Sequence, residues 1–360
     1  MNICFRVDSS FNIGTGHVMR CLTLAKELKK NGHSIYFICR LHDGHLCNLI
    51  AGEDFKVFKL RKPTIFKPSY NLPKHASWLG ISPKQDIQET INIVSSSQIK
   101  FDWIIIDHYA IDKVWEREIR KYIPRIMVID DIADREHDCD ILLDQNYYLH
   151  ANNRYNNLVP AACILLLGPK YTLLRDEFID MYKLPKIRKE RKVALVFYGG
   201  SDPTNETLKA LNAIKMIRST PLLTHVVVGP SNPNKYLIKK QCEQYNFIFH
   251  FNINYMAKLI YEADFAICAG GSITWERYCL GTPAILTAIA DNQIILCENI
   301  NNLGIDQYLG VSELVTEHNM KDEIISFLKK NNLNDLSKIS KNIVDLNGKS
   351  RVLNILNTIK

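Results

Sequence analysis

The run Asp8 to Arg20, DSSFNIGTGHVMR, sets a histidine beside two glycines, and histidine is the side chain best suited to moving a proton near neutral pH. The preceding Asn2–Val7 run (NICFRV) is short and rich in apolar residues, while Val18–Leu28 carries apolar side chains at helical spacing. The segment therefore reads as strand, loop and helix, with His17 at the helix's N-terminal edge. Free backbone N–H groups and the positive end of the helix dipole favour a neutral imidazole there, one that can accept a proton. The plain alternative is a surface or capping histidine, and GxGH alone does not decide between them. A dinucleotide fingerprint fits poorly: Met19 stands where the third glycine would fall, and no acidic residue clearly ends a second strand. Gly14 and Gly16 instead permit close backbone approach of a ligand beside His17.

Other polar groups follow strongly apolar runs, which is where an open parallel sheet places function. Asp107-His108-Tyr109 follows the run Trp103–Ile106, although Asp107 could equally cap the next helix. Tyr198-Gly199-Gly200-Ser201-Asp202 and Ala269-Gly270-Gly271-Ser272 close two strands of the second half. The latter opens a helix bearing Glu276. Small residues there let backbone N–H groups meet a pyrophosphate, and a carboxylate one turn further in can accept from ribose hydroxyls. The alternative is that these glycines only permit tight turns. Asn292 and Gln293 open another helix and could reach sugar hydroxyls or amides, while Asp291 could be an N-cap. His137, Asp138 and Asp140 lie crowded in one loop without ligand spacing, so they are expected to be structural, and His42-Asp43-Gly44-His45 is no better as a metal site.

The elements that must position these groups alternate throughout. In the first half, strands are expected at Asn2–Val7, Ser34–Cys39, Trp103–Ile106, Arg125–Ile129 and Ile141–Leu143, with helices near His17–Lys30, Gln85–Ser95 and Lys113–Tyr122. In the second, strands are expected at Val193–Phe197, Thr224–Val228, Phe247–Phe251, Asp264–Cys268 and Ala284–Leu286. Helices are expected near Glu206–Met216, Asn234–Tyr245, Tyr255–Tyr261, Ile273–Leu280 and Gln293–Leu303. Between the halves lies a charged break, Lys183–Lys192 (KLPKIRKERK), read as a solvated hinge. Leu60–Ser77, rich in Lys, Pro, Ser and Asn, is read as a surface excursion. The fold class is α/β: two doubly wound Rossmann-like domains facing across a cleft. An N-terminal domain is expected at residues 1–182, a C-terminal one at 192–348, and a last helix at 349–360.

Over 360 residues, 46% hydrophobic and 23% charged composition describes an ordinary globular protein large enough for two cores. The net charge of +7 suits an anionic small molecule, and no basic block or basic-aromatic interleaving points to nucleic acid. Ten scattered cysteines without a C-x-x-C pair favour free thiols in a reducing cytoplasm. No apolar run approaches the length of a membrane span and no signal peptide is evident. A cytoplasmic monomer is expected.

Taken together, DSSFNIGTGHVMRCLTLA, IIDHYAID, DDIADREHDCDILLDQN, GPKYTLLRDEF, YGGSDPTN, CAGGSITWERYCLGTP and ADNQ resemble the UDP-sugar hydrolase family of bacterial pseudaminic-acid biosynthesis. The likeness runs from Met1 to about Leu303. Its Gly-Gly-Ser and Asn elements are shared more widely with GT-B glycosyltransferases such as the lipid-II-forming N-acetylglucosaminyltransferase. The resemblance implies a GT-B fold and hydrolysis of UDP-2,4-diacetamido-2,4,6-trideoxy-β-L-altropyranose to UDP and free sugar, with inversion and with neither metal nor cofactor. It matches the family's base to His17 and its uridine-side carboxylate to Glu276. On this reading UDP contacts Gly200, Met256, Gly271, Ser272 and Glu276, with Arg175 near the leaving phosphate and Asn292 within reach of the sugar. The sugar faces Gly14, His17, Asp107, His108 and Tyr109, and closure hinges on Met181–Arg191. Competing expectations are an inverting UDP-sugar glycosyltransferase and a non-catalytic nucleotide-sugar-binding protein. The segments Leu60–Ser77 and beyond Leu303 carry no motif of the resemblance.

Overall fold

The structure is a computed structural model and describes residues 1–63, 74–184, 192–217, 222–329 and 332–359. Most of the Leu60–Ser77 excursion and of the Lys183–Lys192 break, with the expected hinge Met181–Arg191, lies outside the described residues.

The chain forms two compact units: Met1–Asn146 with His150–Leu173 and Asn347–Lys360, and Tyr147–Leu149 with Leu174–Leu346. The first unit holds β1 (Asn2–Val7), α1 (Gly16–Lys30), β2 (Ser34–Arg40), α2 (Cys47–Gly52), β3 (Lys56–Leu60), α3 (Pro83–Ser96), β4 (Trp103–Asp107), α4 (Lys113–Arg120), β5 (Arg125–Ile129), β6 (Ile141–Asp144) and β7 (Ile164–Leu167). All its strands are parallel, in the order β3-β2-β1-β4-β5-β6-β7. Sequence order reverses between β1 and β4, and the crevice outside the carboxyl ends of such a strand pair is where doubly wound sheets hold ligands. Both faces are covered. Ile3, Phe5, Trp103 and Ile105 pack under α1, and Cys4, Ile104, Ile106 and Val128 pack on the side of α3 and α4.

The second unit begins with α5 (Asp176–Tyr182). It continues through β8 (Lys192–Phe197), α6 (Glu206–Lys215), β9 (Leu222–Val228), α7 (Lys235–Tyr245), β10 (Ile248–Phe251), α8 (Met256–Glu262), β11 (Phe265–Ala269), α9 (Ile273–Cys279), β12 (Ala284–Ala288), α10 (Asp291–Asn301), β13 (Gln307–Val311), α11 (Glu317–Leu328) and α12 (Leu333–Ile343). Its parallel order, β10-β9-β8-β11-β12-β13, repeats the first sheet's plan and reverses between β8 and β11. A bidentate Arg277–Asp306 pair at 2.8 and 3.1 Å ties α9 to the start of β13, and Asp306 also accepts from the Ala284 amide at 2.6 Å.

The last helix, α13 (Gly348–Thr358), belongs to the first unit. Val352, Leu353 and Leu356 join the core beside α1, and Arg351 donates to the Lys170 carbonyl at 2.6 Å. Gly348 lies against the Thr172 backbone so closely that a Cβ would clash. The first unit thus ends at Leu173 and regains the chain at Asn347, in place of an expected first domain of residues 1–182 with a separate helix at 349–360. An amphipathic terminal helix carries no local signal of which sheet it will cover. Among the described residues no helix is long and apolar enough to cross a membrane. The cysteines form no disulfide, and all but Cys163 are buried.

Candidate active site

The switch point of the first sheet carries both the loop after β1 and the triplet after β4. The β1 loop is pinned along its length. Asp8 accepts from the Arg40 amide at 2.6 Å and pairs with Arg6 at 2.7 Å, Ser9 Oγ accepts from the Leu46 amide at 2.9 Å, and Ser10 Oγ accepts from the amides of Asn12 and Ile13. Gly14 then turns with φ +80°, a left-handed conformation that favours glycine, and its amide donates to Ser10 at 2.9 Å. A Cβ on Gly14 or Gly16 would meet nothing within 4 Å, so there is open space beside both glycines.

His17 sits in the first turn of α1, 8% exposed. Its Nδ1 lies 2.6 Å from Asp107 Oδ1. Asp107 is fully buried, and Arg20 grips it with both ends of its guanidinium, Nε to Oδ2 at 2.6 Å and Nη2 to Oδ1 at 2.7 Å, with Nη2 also 3.3 Å from His17 Nδ1, while Cys21 Sγ donates weakly at 3.5 Å. Burial opposes the charged carboxylate, yet Arg20 and His17 hold its pKa far below the ordinary carboxylate value. A permanent acceptor at Nδ1 selects the tautomer with its proton there. Nε2 is then left as the ring's proton-accepting atom. Arg20 reaches on to Asp131 Oδ2 at 2.8 Å, and Asp131 accepts from the Tyr109 hydroxyl, closing a ring of charge and hydrogen bonds around the imidazole.

The three residues of Asp107-His108-Tyr109 separate in role. Asp107, expected among the groups facing substrate, has both carboxylate oxygens engaged by His17 and Arg20. His108, also expected there, is buried one layer below, its Nε2 3.3 Å from Asp8 Oδ2 and its Nδ1 accepting from the Ala110 amide. Burial lowers the His108 pKa despite the pull of Asp8, so it is neutral at pH 7. Burial also works against Asp8, but Arg6 and the neighbouring His108 and His42 rings hold Asp8 well below its usual value. Tyr109 alone of the three packs against the imidazole, ring edge to face at 4.7 Å between centroids. Arg20, Asp131 and Trp78 join the arrangement without having been singled out from sequence. His137 is held by Glu116 at 2.7 Å and Asp138 and Asp140 by Arg120 at 2.9 Å each, the structural role expected of that loop.

In the second unit the loops after β8 and β11 sit at that sheet's switch point. Gly199 has φ +82°, and Gly200 packs so tightly on Gly229 that a Cβ on Gly229 would collide with it. Asp202 accepts from the amides of Glu206 and Thr207 at 2.9 Å each and so caps α6. A Cβ on Gly271 would meet nothing within 4 Å, and Ser272 is exposed. Glu276, one turn into α9, is paired with Arg175 Nε and Nη2 at 3.0 Å, and Arg175 Nη1 holds Glu177 at 2.6 Å. Burial raises the Glu276 pKa against the pull of Arg175. Arg175 is therefore a partner of the Glu276 carboxylate, a pairing not anticipated from sequence. Met256 turns into the core with Leu259 and Ile260, leaving backbone as its means of touching a base, while Asn292 is exposed at the start of α10.

No family model matches the chain. It is 30% identical over 286 residues to the UDP-2,4-diacetamido-2,4,6-trideoxy-β-L-altropyranose hydrolase of Campylobacter jejuni, an alignment covering 78% of this chain and 89% of that one. The chain belongs to this hydrolase family. A Helicobacter pylori protein whose name joins pseudaminic acid cytidylyltransferase to the same hydrolase is 25% identical over 60% of this chain and 39% of its own length. Among solved structures, MurG of Acinetobacter baumannii superposes with a TM-score of 0.68 at 15% identity over 99% of both chains. The calicheamicin glycosyltransferase CalG4 gives 0.63 at 12% identity over 99% and 97%. This chain thus has the fold of GT-B glycosyltransferases, two Rossmann-like α/β units.

Proposed function

We propose that this chain hydrolyses UDP-2,4-diacetamido-2,4,6-trideoxy-β-L-altropyranose to UDP and the free sugar, with inversion at the anomeric carbon. The observation that carries the reading is the His17–Asp107 pair at the switch point of the first sheet, in a chain with two relatives named for this hydrolysis. His17 Nε2 accepts a proton from water as the water oxygen bonds to the anomeric carbon. The bond from that carbon to the phosphate oxygen breaks, its electron pair leaves on UDP, and His17 returns the proton to solvent. Asp107 holds the ring and stabilises the imidazolium as it forms. UDP is a good leaving group, so no strong protonating acid is required. Nucleotide binding is assigned to the second unit: diphosphate at Gly200, Gly271 and Ser272, ribose at Glu276 with Arg175 as its ion-pair partner, uracil at the backbone of Met256, and sugar hydroxyls within reach of Asn292. The sugar is assigned to Gly14, His17 and Tyr109.

A glycosyltransferase reading is favoured by one observation, the likeness to GT-B glycosyltransferase structures. It predicts that UDP release depends on an acceptor hydroxyl. Incubating the protein with the UDP-sugar alone and following UDP separates the two: stoichiometric release without acceptor supports hydrolysis, and release only on adding an acceptor overturns it.

A further inference from the structure

Trp78 stands beside His17 at the edge of the same loop cluster. It lies on a single helical turn, Ala76–Leu79, whose Ala76 and Leu79 are buried, while Trp78 itself is half-buried. The turn is clamped at its end by Gly80, which has φ +70° and packs so tightly on Pro63 that a Cβ would clash. The indole stacks on Tyr109 with centroids 5.4 Å apart and 29° between planes, and meets the His17 imidazole nearly perpendicularly at 6.0 Å. His75 fills the corner, 4.8 Å from Trp78 and 5.4 Å from Tyr109. Trp78, Tyr109 and His75 thus form a continuous aromatic wall next to the imidazole, and the indole is only partly covered by the protein.

We infer that Trp78 is a specificity-determining residue that receives the apolar, C–H-bearing face of the sugar whose anomeric carbon reacts beside His17. Aromatic faces are electron-rich and attract the weakly positive C–H groups of a sugar ring, of acetamido methyls and of a 6-deoxy methyl. A sugar with two acetamido groups and no 6-hydroxyl offers more such surface than an ordinary hexose. This assignment rests on the hydrolase reading above. The contact exists in ground and transition states alike, so its loss raises KM and leaves kcat nearly unchanged.

The test compares Trp78→Phe, Trp78→Leu and Trp78→Ala with the unaltered protein on UDP-2,4-diacetamido-2,4,6-trideoxy-β-L-altropyranose, with UDP affinity measured separately by calorimetry. The expected result is a KM raised about tenfold in Trp78→Ala and Trp78→Leu, about twofold in Trp78→Phe, with kcat and UDP affinity within about twofold of the original. A KM unchanged in Trp78→Leu overturns the assignment, as does a fall in kcat with an altered pH profile, which would mark Trp78 as support for His17. Should Trp78→Ala fail to fold, the Phe and Leu pair, which keep bulk and differ in the aromatic face, decides it. If the unaltered protein releases no UDP from this substrate, the hydrolase reading fails instead, and with a separate signature.

Discussion

At the residue scale the account turns on which proton His17 carries. Asp107 is buried and held ionised by Arg20, so it fixes the imidazole with Nδ1–H inward and leaves Nε2 to act. Replacing Asp107 by Asn keeps the volume but removes the charge and offers an amide that can present either a donor or an acceptor to Nδ1. We expect Asp107→Asn to lower kcat by about 10²-fold, with KM for the UDP-sugar changed by less than about threefold. Steady-state kinetics on the folded variant checks this, and an undiminished kcat would remove Asp107 from the mechanism. The place of His17 in the first turn of α1 was legible in the sequence because a glycine-flanked loop between an apolar strand and an amphipathic helix is a local pattern. Its partners were not, since Asp107 is 90 residues away and Arg20 meets Asp131 across 111. Asp107 therefore read as a candidate substrate contact or a cap, and only the fold discloses that its acceptors are already taken.

At the element scale the end of β1 is locked to β2 and α3 by a buried network of alternating charge. Arg6 bridges Asp8 at 2.7 Å and Asp86 at 2.8 Å, Arg40 meets Asp86 at 2.7 Å, and Trp115 Nε1 donates to Asp86 at 3.0 Å. Removing one partner from such a network leaves an uncompensated buried charge. Asp8→Asn should therefore destabilise the protein by about 3–5 kcal/mol, and because Asp8 anchors the loop that carries Gly14 and leads to His17, lose activity before global unfolding. Denaturant unfolding followed alongside UDP release measures both, and a stability loss under about 1 kcal/mol would contradict the network's role. The expected strands and most helices agree with the structure to within a residue or two, because buried parallel strands are continuous apolar runs. What escaped was the short apolar run of β7, Ile164–Leu167, too brief for periodicity to mark, and elements with weak patterns. In β13 every residue is only half-buried and a glycine interrupts it, and in β3 charged and apolar residues mix.

At the scale of the whole molecule, the same sheet plan occurs twice, and both times the loops carrying the candidate residues leave the strands that flank the reversal. That placement was foreseeable from alternating strands and helices, whereas the return of α13 to the first unit was not. Global stability should also carry a signature of the acidic cluster at the carboxyl ends of β5 and β6. Burial, together with the charge of Asp131, pushes the Asp144 carboxyl up to about 8, while Asp130, although burial opposes its charge, is held by Arg135 at about 2. Facing Asp144 are Tyr155, whose hydroxyl donates to it at 3.0 Å, and Arg154 at 3.5 Å. A carboxyl raised in the native state binds a proton that the unfolded chain has already lost, so stability from Asp144 is full below about pH 4 and declines as pH rises towards 8. Asp144→Asn should accordingly raise the melting temperature at pH 8.5, by roughly 2–4 °C, and leave it nearly unchanged at pH 5. Equal shifts at the two pH values would show that Asp144 is not protonated in the fold.

The central claim, that His17 directs water to the anomeric carbon, is tested most directly by proton NMR of the reaction as it starts, without acceptor, for the unaltered protein and His17→Ala. The account predicts UDP and free 2,4-diacetamido-2,4,6-trideoxy-L-altrose whose first-formed anomer is α. It further predicts a rate about 10²–10⁴-fold lower in folded His17→Ala. Retention of the β anomer, or a His17→Ala variant that turns over at nearly the original rate, would contradict it.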